Sequence, residues 1–325
     1  MRFVTCDFRE TTALMVMRSS LLWLSNQQGI FDFVRRNGLA RKFASRFVAG
    51  ETIETAAAAA LALKSRGINV TLDLLGESVT NPAEARAARD QYLAILGVMA
   101  DRGLQVNASV KLTQMGLDIG EDLAAENMDL ILGKAQALGG FVRLDMESSA
   151  YTQRTLDFFE HRLFPRFGAH TGVVIQSSLR RSGGDIARLI AMGARVRLCK
   201  GAYLEPPSVA FPDKKDVDRA YVELMEQLLE RGNYPAIATH DEAIIAHARE
   251  FTRRKGIGPE RFEFQMLYGV RRDLQEQLRA AGYNMRVYVP FGTQWYPYLM
   301  RRLAERPANI VFIMGNVVKE SVAGL

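Results

Sequence analysis

Beyond Gly67 the chain repeats one unit eight times: a short run rich in branched and aromatic residues, then a longer run with helical periodicity. The strand candidates are INVTLDLL (68–75), QVNASVKL (105–112), FVRLDME (141–147), GVVIQSS (172–178), RVRLCK (195–200), PAIATH (235–240), FEFQML (262–267) and MRVYVP (285–290). Segments such as PAEARAARDQYLAILGVMADRG (82–103) and DVDRAYVELMEQLLERG (216–232) have helical character and separate them. Strict alternation of this kind implies parallel strands joined by crossover helices. Eight units in about 250 residues favour a closed barrel over an open doubly wound sheet. The expected fold is therefore α/β, a distorted (β/α)8 TIM barrel (67–325) with an N-terminal helical arm (1–66).

The strands carry charge where such a barrel is normally apolar. Side chains alternate between the two faces of a strand. Val106, Ala108, Val110 and Leu112 share one face, against Asn107, Ser109 and Lys111. Val142, Leu144 and Met146 oppose Arg143, Asp145 and Glu147; Val196 and Leu198 oppose Arg195, Arg197 and Cys199; Val287 and Val289 oppose Arg286 and Tyr288. The apolar faces must meet the helices, so the polar faces must point into the barrel. Charges there are costly unless they pair or meet a ligand. A lumen of mutually paired charges, such as Arg143 with Asp145 or Glu147, is one outcome. A ligand site is the other, and it is favoured because the polar residues crowd towards the C-terminal strand ends, where this fold builds its active sites.

The rest of the chain narrows the function class. The formal net charge is +6, but the basic residues are spread in short groups, which argues against nucleic-acid binding. Cys6 and Cys199 form no CxxC pair, and the four histidines include no HExxH, so neither a disulfide framework nor a zinc site is expected. There is no GxGxxG and no GxxxxGK[ST]. No run reaches the roughly 18 uninterrupted apolar residues of a membrane span. Asp7, Arg9 and Glu10 precede the first apolar stretch, unlike a signal peptide, so a reducing cytoplasm is expected. ETIETAAAAALALKSRG (51–67) reads as an alanine-rich helix stopped at Gly67. FDFVRRNGLARKFASRFVAG (31–50), basic and aromatic, suits an arm packed on its own domain better than one on a membrane surface or on another subunit.

Several residues at strand ends could carry chemistry. Lys111 and Asp145 end neighbouring strands and could pair. Lys111 or Lys200 could instead form a Schiff base with a carbonyl substrate, as in a lyase or aldolase. Gly201 and Ala202 in KGAY (200–203) let a large ligand approach the backbone. Thr239 and His240 end the sixth strand, Gln176 and Gln265 could read a planar ring by hydrogen bonding, and LLGES (74–78) presents Glu77 at the same rim. In YNMRVYVPFGTQWYPYLMRRLAER (283–306) a strand, a Pro-Gly break and a helix carry Arg301 and Arg302 side by side. Neighbouring helical residues point about 100° apart, so two guanidiniums could converge on one carboxylate or phosphate. Arg-Arg occurs five times, however, and Glu305 could simply pair with Arg301.

RLDMESSAY (143–151), RVRLCKGAY (195–203), ATHD (238–241), FEFQMLYG (262–269) and VYVPFGTQWYPYLMRRLAE (287–305) together resemble proline dehydrogenase, over residues 35–315. The chain resembles the short monofunctional bacterial enzymes and is too short for the further domains of the bifunctional proline utilisation proteins. The resemblance implies FAD-dependent oxidation of L-proline to Δ1-pyrroline-5-carboxylate by hydride transfer to flavin N5. This is the first step of proline catabolism, with electrons passed to a quinone at the membrane. It implies a cytoplasmic protein, peripheral on the inner face of the membrane, and product hand-over to a separate pyrroline-5-carboxylate dehydrogenase. By the same resemblance, Arg301, Arg302 and Lys111 bind the proline carboxylate, and Tyr203, Leu267 and Tyr288 pack around the ring. Asp145 orients Lys111, Arg197 sits near flavin N5, and Met146 and Gln176 lie near the isoalloxazine. Lys200, Gly201, Ala202, Thr239, His240, Gln265 and Glu305 hold the remainder of the FAD. Glu77 matches a rim glutamate that pairs with the first arginine of the clamp, as a gate. Tyr288 points to proline rather than hydroxyproline. Leu204 departs from the tryptophan of the bifunctional relatives, and the segment between Gly292 and Arg301 is shorter than theirs.

Overall fold

A computed structural model of the chain describes residues 44–305, with side chains to residue 300. Helix α1 (Ile53–Lys64) leads into β1 (Asn69–Leu74), and eight strands then alternate with helices. They are α2 (Pro82–Asp101), β2 (Asn107–Val110), α3 (Glu121–Ala137), β3 (Phe141–Leu144), α4 (Ser149–Phe158), β4 (Thr171–Gln176), α5 (Ser182–Ala191) and β5 (Arg195–Cys199). There follow α6 (Lys214–Arg231), β6 (Ala236–Ala238), α7 (Glu242–Lys255), β7 (Glu263–Leu267), α8 (Arg272–Ala280), β8 (Met285–Phe291) and α9 (Trp295–Glu305). All strands are parallel, and β1 closes on β8 to complete the barrel. The expected (β/α)8 architecture is the one the chain adopts.

Among the described residues, 47–293 form one compact unit, and the remainder belong to a second. The first unit therefore includes α1, which packs against β1 and β8. The Ala49 N–H donates to Pro290 O (2.8 Å) and the Gly292 N–H to Gly50 O (3.0 Å), tying the segment before α1 to the end of β8. Residues 1–43 of the expected arm lie outside the described residues.

Local signals set the element ends. Asn81 accepts from the Glu84 N–H (3.0 Å) to cap α2, with Pro82 at its first turn. Asp241 caps α7 through the N–H groups of Ala243 and Ile244, and Gly256 ends that helix in the left-handed region (φ 66°). Gly67 takes φ 73° after α1, as a helix-stopping glycine should.

The outward strand residues make the core. Val70, Leu72, Ala108, Val110, Val142, Leu144, Val173, Val196, Leu198, Ile237, Phe264, Val287 and Val289 are all buried between sheet and helices. Each large side chain so buried contributes about 1.5–3 kcal/mol. The opposite faces fill the lumen with Thr71, Asp73, Ser109, Lys111, Arg143, Arg197, Glu263, Gln265 and Arg286, every one of them buried. Ladder register sets the layers: Asp73 pairs with Ser109, Ser109 with Arg143, Ala236 with Glu263, and Gln265 with Arg286.

Candidate active site

The C-terminal face of the barrel collects two ion pairs. Lys111 Nζ lies 3.2 Å from Asp73 Oδ1, and Arg197 Nη1 lies 2.6 Å from Asp145 Oδ1. Asp73 has no exposed surface and Lys111 is 8% exposed. Burial pushes the Asp73 carboxyl above the usual carboxylate range, and Lys111 opposes that. Burial acts to lower the Lys111 ammonium pKa, but Asp73, Asp145, Tyr92 and Glu77 outweigh it and hold the lysine above its ordinary value. A lysine so held is a fixed cation rather than a free amine. That argues against Lys111 as a Schiff-base nucleophile, which needs a depressed pKa.

The expected Lys111–Asp145 pairing is replaced. Asp145 accepts from Arg197 on Oδ1 and from the Tyr288 hydroxyl on Oδ2 (2.8 Å). Arg197 also donates from Nε to Gln265 Oε1 (2.6 Å) and from Nη2 to Ser109 Oγ (3.1 Å). Its guanidinium stands 5.4 Å from the centre of the Tyr288 ring. Burial first, then Asp145 and Asp73, push the Tyr288 phenol well above its usual pKa, so the hydroxyl stays a donor. Tyr288, Asp145 and Arg197 thus form one hydrogen-bonded triad.

Arg143 pairs with neither Asp145 nor Glu147. Its Nη1 donates to the carbonyls of Val173 (3.4 Å) and Arg195 (3.2 Å), and the guanidinium stacks 4.9 Å from the Phe141 ring. Burial above all, then the like charge of Arg197, pull its pKa well down.

On the next sector of the rim, the Gln176 Nε2 donates to Glu147 O (2.8 Å). Met146 beside it is buried. Gly201 follows β5 at φ 106°; a Cβ there would collide with Ser178 Oγ and lie 2.9 Å from Gln176 Oε1. The glycine therefore draws the backbone of the KGAY segment against Gln176, a cradle that any side chain would fill. Ala202 and Tyr203 are half-buried after it. Lys200 is held by Asp218 (2.6 Å) and Asp241 (2.9 Å), so two carboxylates already neutralise it. Thr239 Oγ1 accepts from the Asp241 N–H (3.1 Å). His240 Nε2 lies 3.0 Å from the Leu267 N–H. A backbone N–H only donates, so Nε2 accepts and the ring proton of the neutral tautomer sits on Nδ1. Gln265 is fully engaged inside the lumen, accepting from Arg197 and donating to Glu263 (2.5 Å).

Glu77 is exposed on the β1–α2 loop, next to Ser78, which takes φ 54°. Arg301, Arg302 and Glu305 fall on α9, and their side chains lie outside the described residues.

Three supporting residues have roles that the strand pattern leaves unassigned. Asp73 is one; its signal was available, because Thr71 and Asp73 alternate with Val70, Leu72 and Leu74 as the other polar faces do. Glu147 is the second. It accepts from the Thr113 N–H (3.2 Å) and hydroxyl (2.6 Å), and Thr113 Oγ1 in turn accepts from the Ser78 N–H (3.1 Å), so Glu147 braces the Glu77 loop. Glu205 is the third, binding the Ser149 N–H (2.7 Å) and hydroxyl and so fastening the loop that carries Tyr203 to the start of α4. No local pattern marks Glu205.

With this geometry in place, comparison with known proteins is informative. The sequence pattern of the proline dehydrogenase family matches residues 56–314. The chain is 47% identical over 280 residues to proline dehydrogenase of Deinococcus radiodurans, across 85% of this chain and 90% of that one. It is 40% identical over 306 residues to proline dehydrogenase 2 of Bacillus subtilis strain 168, across 94% of this chain and all of that one. The fold is similar to the crystal structure of proline utilization A from Bdellovibrio bacteriovorus inactivated by N-propargylglycine, with TM-score 0.76 and 25% identity. That match covers 86% of this chain and 34% of the other, so the chain spans about a third of that protein.

Proposed function

We infer the reaction from one premise: the chain belongs to the proline dehydrogenase family. It is a proline oxidoreductase of the monofunctional type and performs the first step of proline catabolism. The finer reading is our proposal, and one observation carries it. Two ion pairs, Lys111 with Asp73 and Arg197 with Asp145, stand on the same face of the lumen, a fixed arrangement suited to a small carboxylate beside a redox group.

In this proposal Lys111, Arg301 and Arg302 bind the carboxylate of L-proline. Asp73 keeps the Lys111 ammonium charged and aimed. Tyr203, Leu267 and Tyr288 enclose the ring, and the bulk of Tyr288 with its hydroxyl committed to Asp145 favours proline over a hydroxylated ring. The ring nitrogen must be neutral before the neighbouring carbon can lose hydride, and three cations around the carboxylate disfavour a further positive charge there. Glu77 competes with substrate for Arg301, which makes the β1–α2 loop a gate.

The cofactor we propose is FAD, which when bound supplies the acceptor for the hydride leaving the proline ring. The residues present fit it. Arg197 gives a fixed buried cation, Gln176 a planar amide, and the Gly201 cradle close access to backbone. Met146, Gln176, Arg197, Lys200, Gly201, Ala202, Thr239, His240, Gln265 and Glu305 are its proposed contacts. Gln265 also holds Arg197, through its side-chain oxygen. Electrons pass to a membrane quinone from a cytoplasmic protein docked peripherally, and a separate dehydrogenase consumes the product imine once it opens to an aldehyde. Among the described residues no helix is long and apolar enough to cross a membrane.

The test is anaerobic turnover of the FAD-loaded protein with L-proline and a soluble quinone. Appearance of Δ1-pyrroline-5-carboxylate in step with reduced quinone supports the reading; no product with either D- or L-proline sinks it.

A further inference from the structure

Five polar side chains run in one hydrogen-bonded line through the barrel: Arg286, Glu263, Gln265, Arg197 and Asp145. The Arg286 Nε reaches both Glu263 oxygens (2.9 and 3.1 Å). Gln265 Nε2 donates to Glu263 Oε1 (2.5 Å), and Gln265 Oε1 accepts from Arg197 Nε (2.6 Å). Arg197 then closes on Asp145. Arg286 is itself fixed by Val70 O (2.7 Å) and Gln105 Oε1 (2.8 Å). All but Asp145 are at most 5% exposed.

The direction of every link is forced. An ionised carboxylate only accepts and a guanidinium only donates. An amide between them has a single satisfying orientation, NH2 to Glu263 and oxygen to Arg197. Turned over, it would set donor against donor at Arg197 and oxygen against carboxylate at Glu263, leaving buried polar groups unsatisfied. Burial acts to raise the Glu263 carboxyl, but Arg286 above all, then Gln265 and Arg143, take it below the usual carboxylate range.

We propose that Glu263, at the start of β7 and away from the catalytic face, is a positioning residue: it fixes the Gln265 amide and, through it, the Arg197 guanidinium. The proposal rests on the reading above for the consequence, since Arg197 is there the cation beside the flavin. Removing the Glu263 carboxylate frees the amide to turn, and Arg197 loses its Nε acceptor while keeping Asp145 and Ser109. The reaction should then suffer in its chemical step rather than in substrate binding.

The test replaces the ion pair as a unit, Glu263→Leu with Arg286→Leu, so that neither member is left as a stranded charge. Glu263→Asp serves as a second variant. It keeps the charge that Arg286 needs but withdraws the carboxylate from Gln265 by one methylene, so it decides the question should the double variant not fold. Three readouts are taken on the FAD-loaded protein: the Arg197 Nε–H resonance, assigned through Arg197→Lys; the flavin midpoint potential; and kcat and KM for L-proline. The expected result is a displaced Arg197 resonance, a lower midpoint potential as the reduced cofactor loses its aligned cation, and kcat down about tenfold with KM within about twofold of wild type. Wild-type resonance and potential, whatever the change in melting temperature, overturn the proposal. A displaced resonance with an unchanged potential upholds the positioning link and instead removes Arg197 from the flavin.

Discussion

Lys111 and Asp73 face each other across 3.2 Å inside the barrel, and the aspartate has no exposed surface at all. A buried pair of this kind holds together only as a pair. Taking away one member strands the other charge, at a cost of about 3–5 kcal/mol.

Asp73→Asn is therefore expected to lower the unfolding free energy by about that amount, measured by urea titration. It also has a pH signature. Lys111 is raised in the folded protein, so the stability it adds is fully present below the ordinary lysine value of about 10.4. That stability is lost as pH rises through the folded value. In Asp73→Asn the effect of burial is less opposed, the folded value drops, and the alkaline loss of stability begins at lower pH. A variant with wild-type alkaline behaviour would break the link between the two residues.

Tyr288→Phe removes the hydroxyl that donates to Asp145 Oδ2 over 2.8 Å. A hydrogen bond to a charged group contributes about 1.5–3 kcal/mol. The expected outcome in steady-state kinetics is a fall in kcat/KM for L-proline of roughly ten- to a hundredfold, with some gain for hydroxylated proline as the ring wall loosens. Unchanged kinetics for both substrates would remove Tyr288 from the pocket.

Glu147 gives a prediction in acid. Burial, the largest influence, raises its carboxyl, and its bonds to Thr113 only partly offset this. A raised carboxyl binds its proton more tightly in the folded chain. Its contribution is thus fully present below the ordinary value of about 4.3 and is lost as pH rises through the folded value. Glu147→Gln, which keeps an acceptor for the Thr113 N–H and turns its amide NH2 towards the hydroxyl oxygen, should flatten that part of the melting temperature against pH. A profile identical to wild type would mean that Glu147 does not titrate there.

Gly201→Ala places a methyl group against Ser178 Oγ and Gln176 Oε1 at a backbone angle, φ 106°, that side chains avoid. Strain of this sort costs about 1–3 kcal/mol. Differential scanning calorimetry of the apoprotein should show the loss, and FAD titration should show weaker binding, because the cradle is filled. Normal FAD affinity would place the cofactor elsewhere.

How much of this could be read in advance differs by level. The barrel was legible, because apolar residues such as Val106, Ala108 and Val110 alternate with Asn107 and Ser109 on strand after strand. The polar lumen followed from the same alternation. Partner choice did not follow. Lys111 and Asp145 end adjacent strands, yet Asp145 goes to Arg197 of β5, across the lumen, and Lys111 falls back on Asp73 of β1. Which charges meet across a barrel depends on tilt and shear, which no short stretch of sequence specifies. Glu205 and Ser149 illustrate the same point, being loop residues 56 positions apart that meet only once the strands are in place.

The central claim is that this barrel holds FAD and uses it to oxidise L-proline. The visible absorption spectrum of the purified protein, recorded anaerobically before and after adding L-proline, tests it most directly. The account predicts a yellow protein whose flavin band is bleached by L-proline and not by D-proline. A colourless protein that FAD cannot reconstitute, or a yellow one whose band L-proline leaves unchanged, would contradict it.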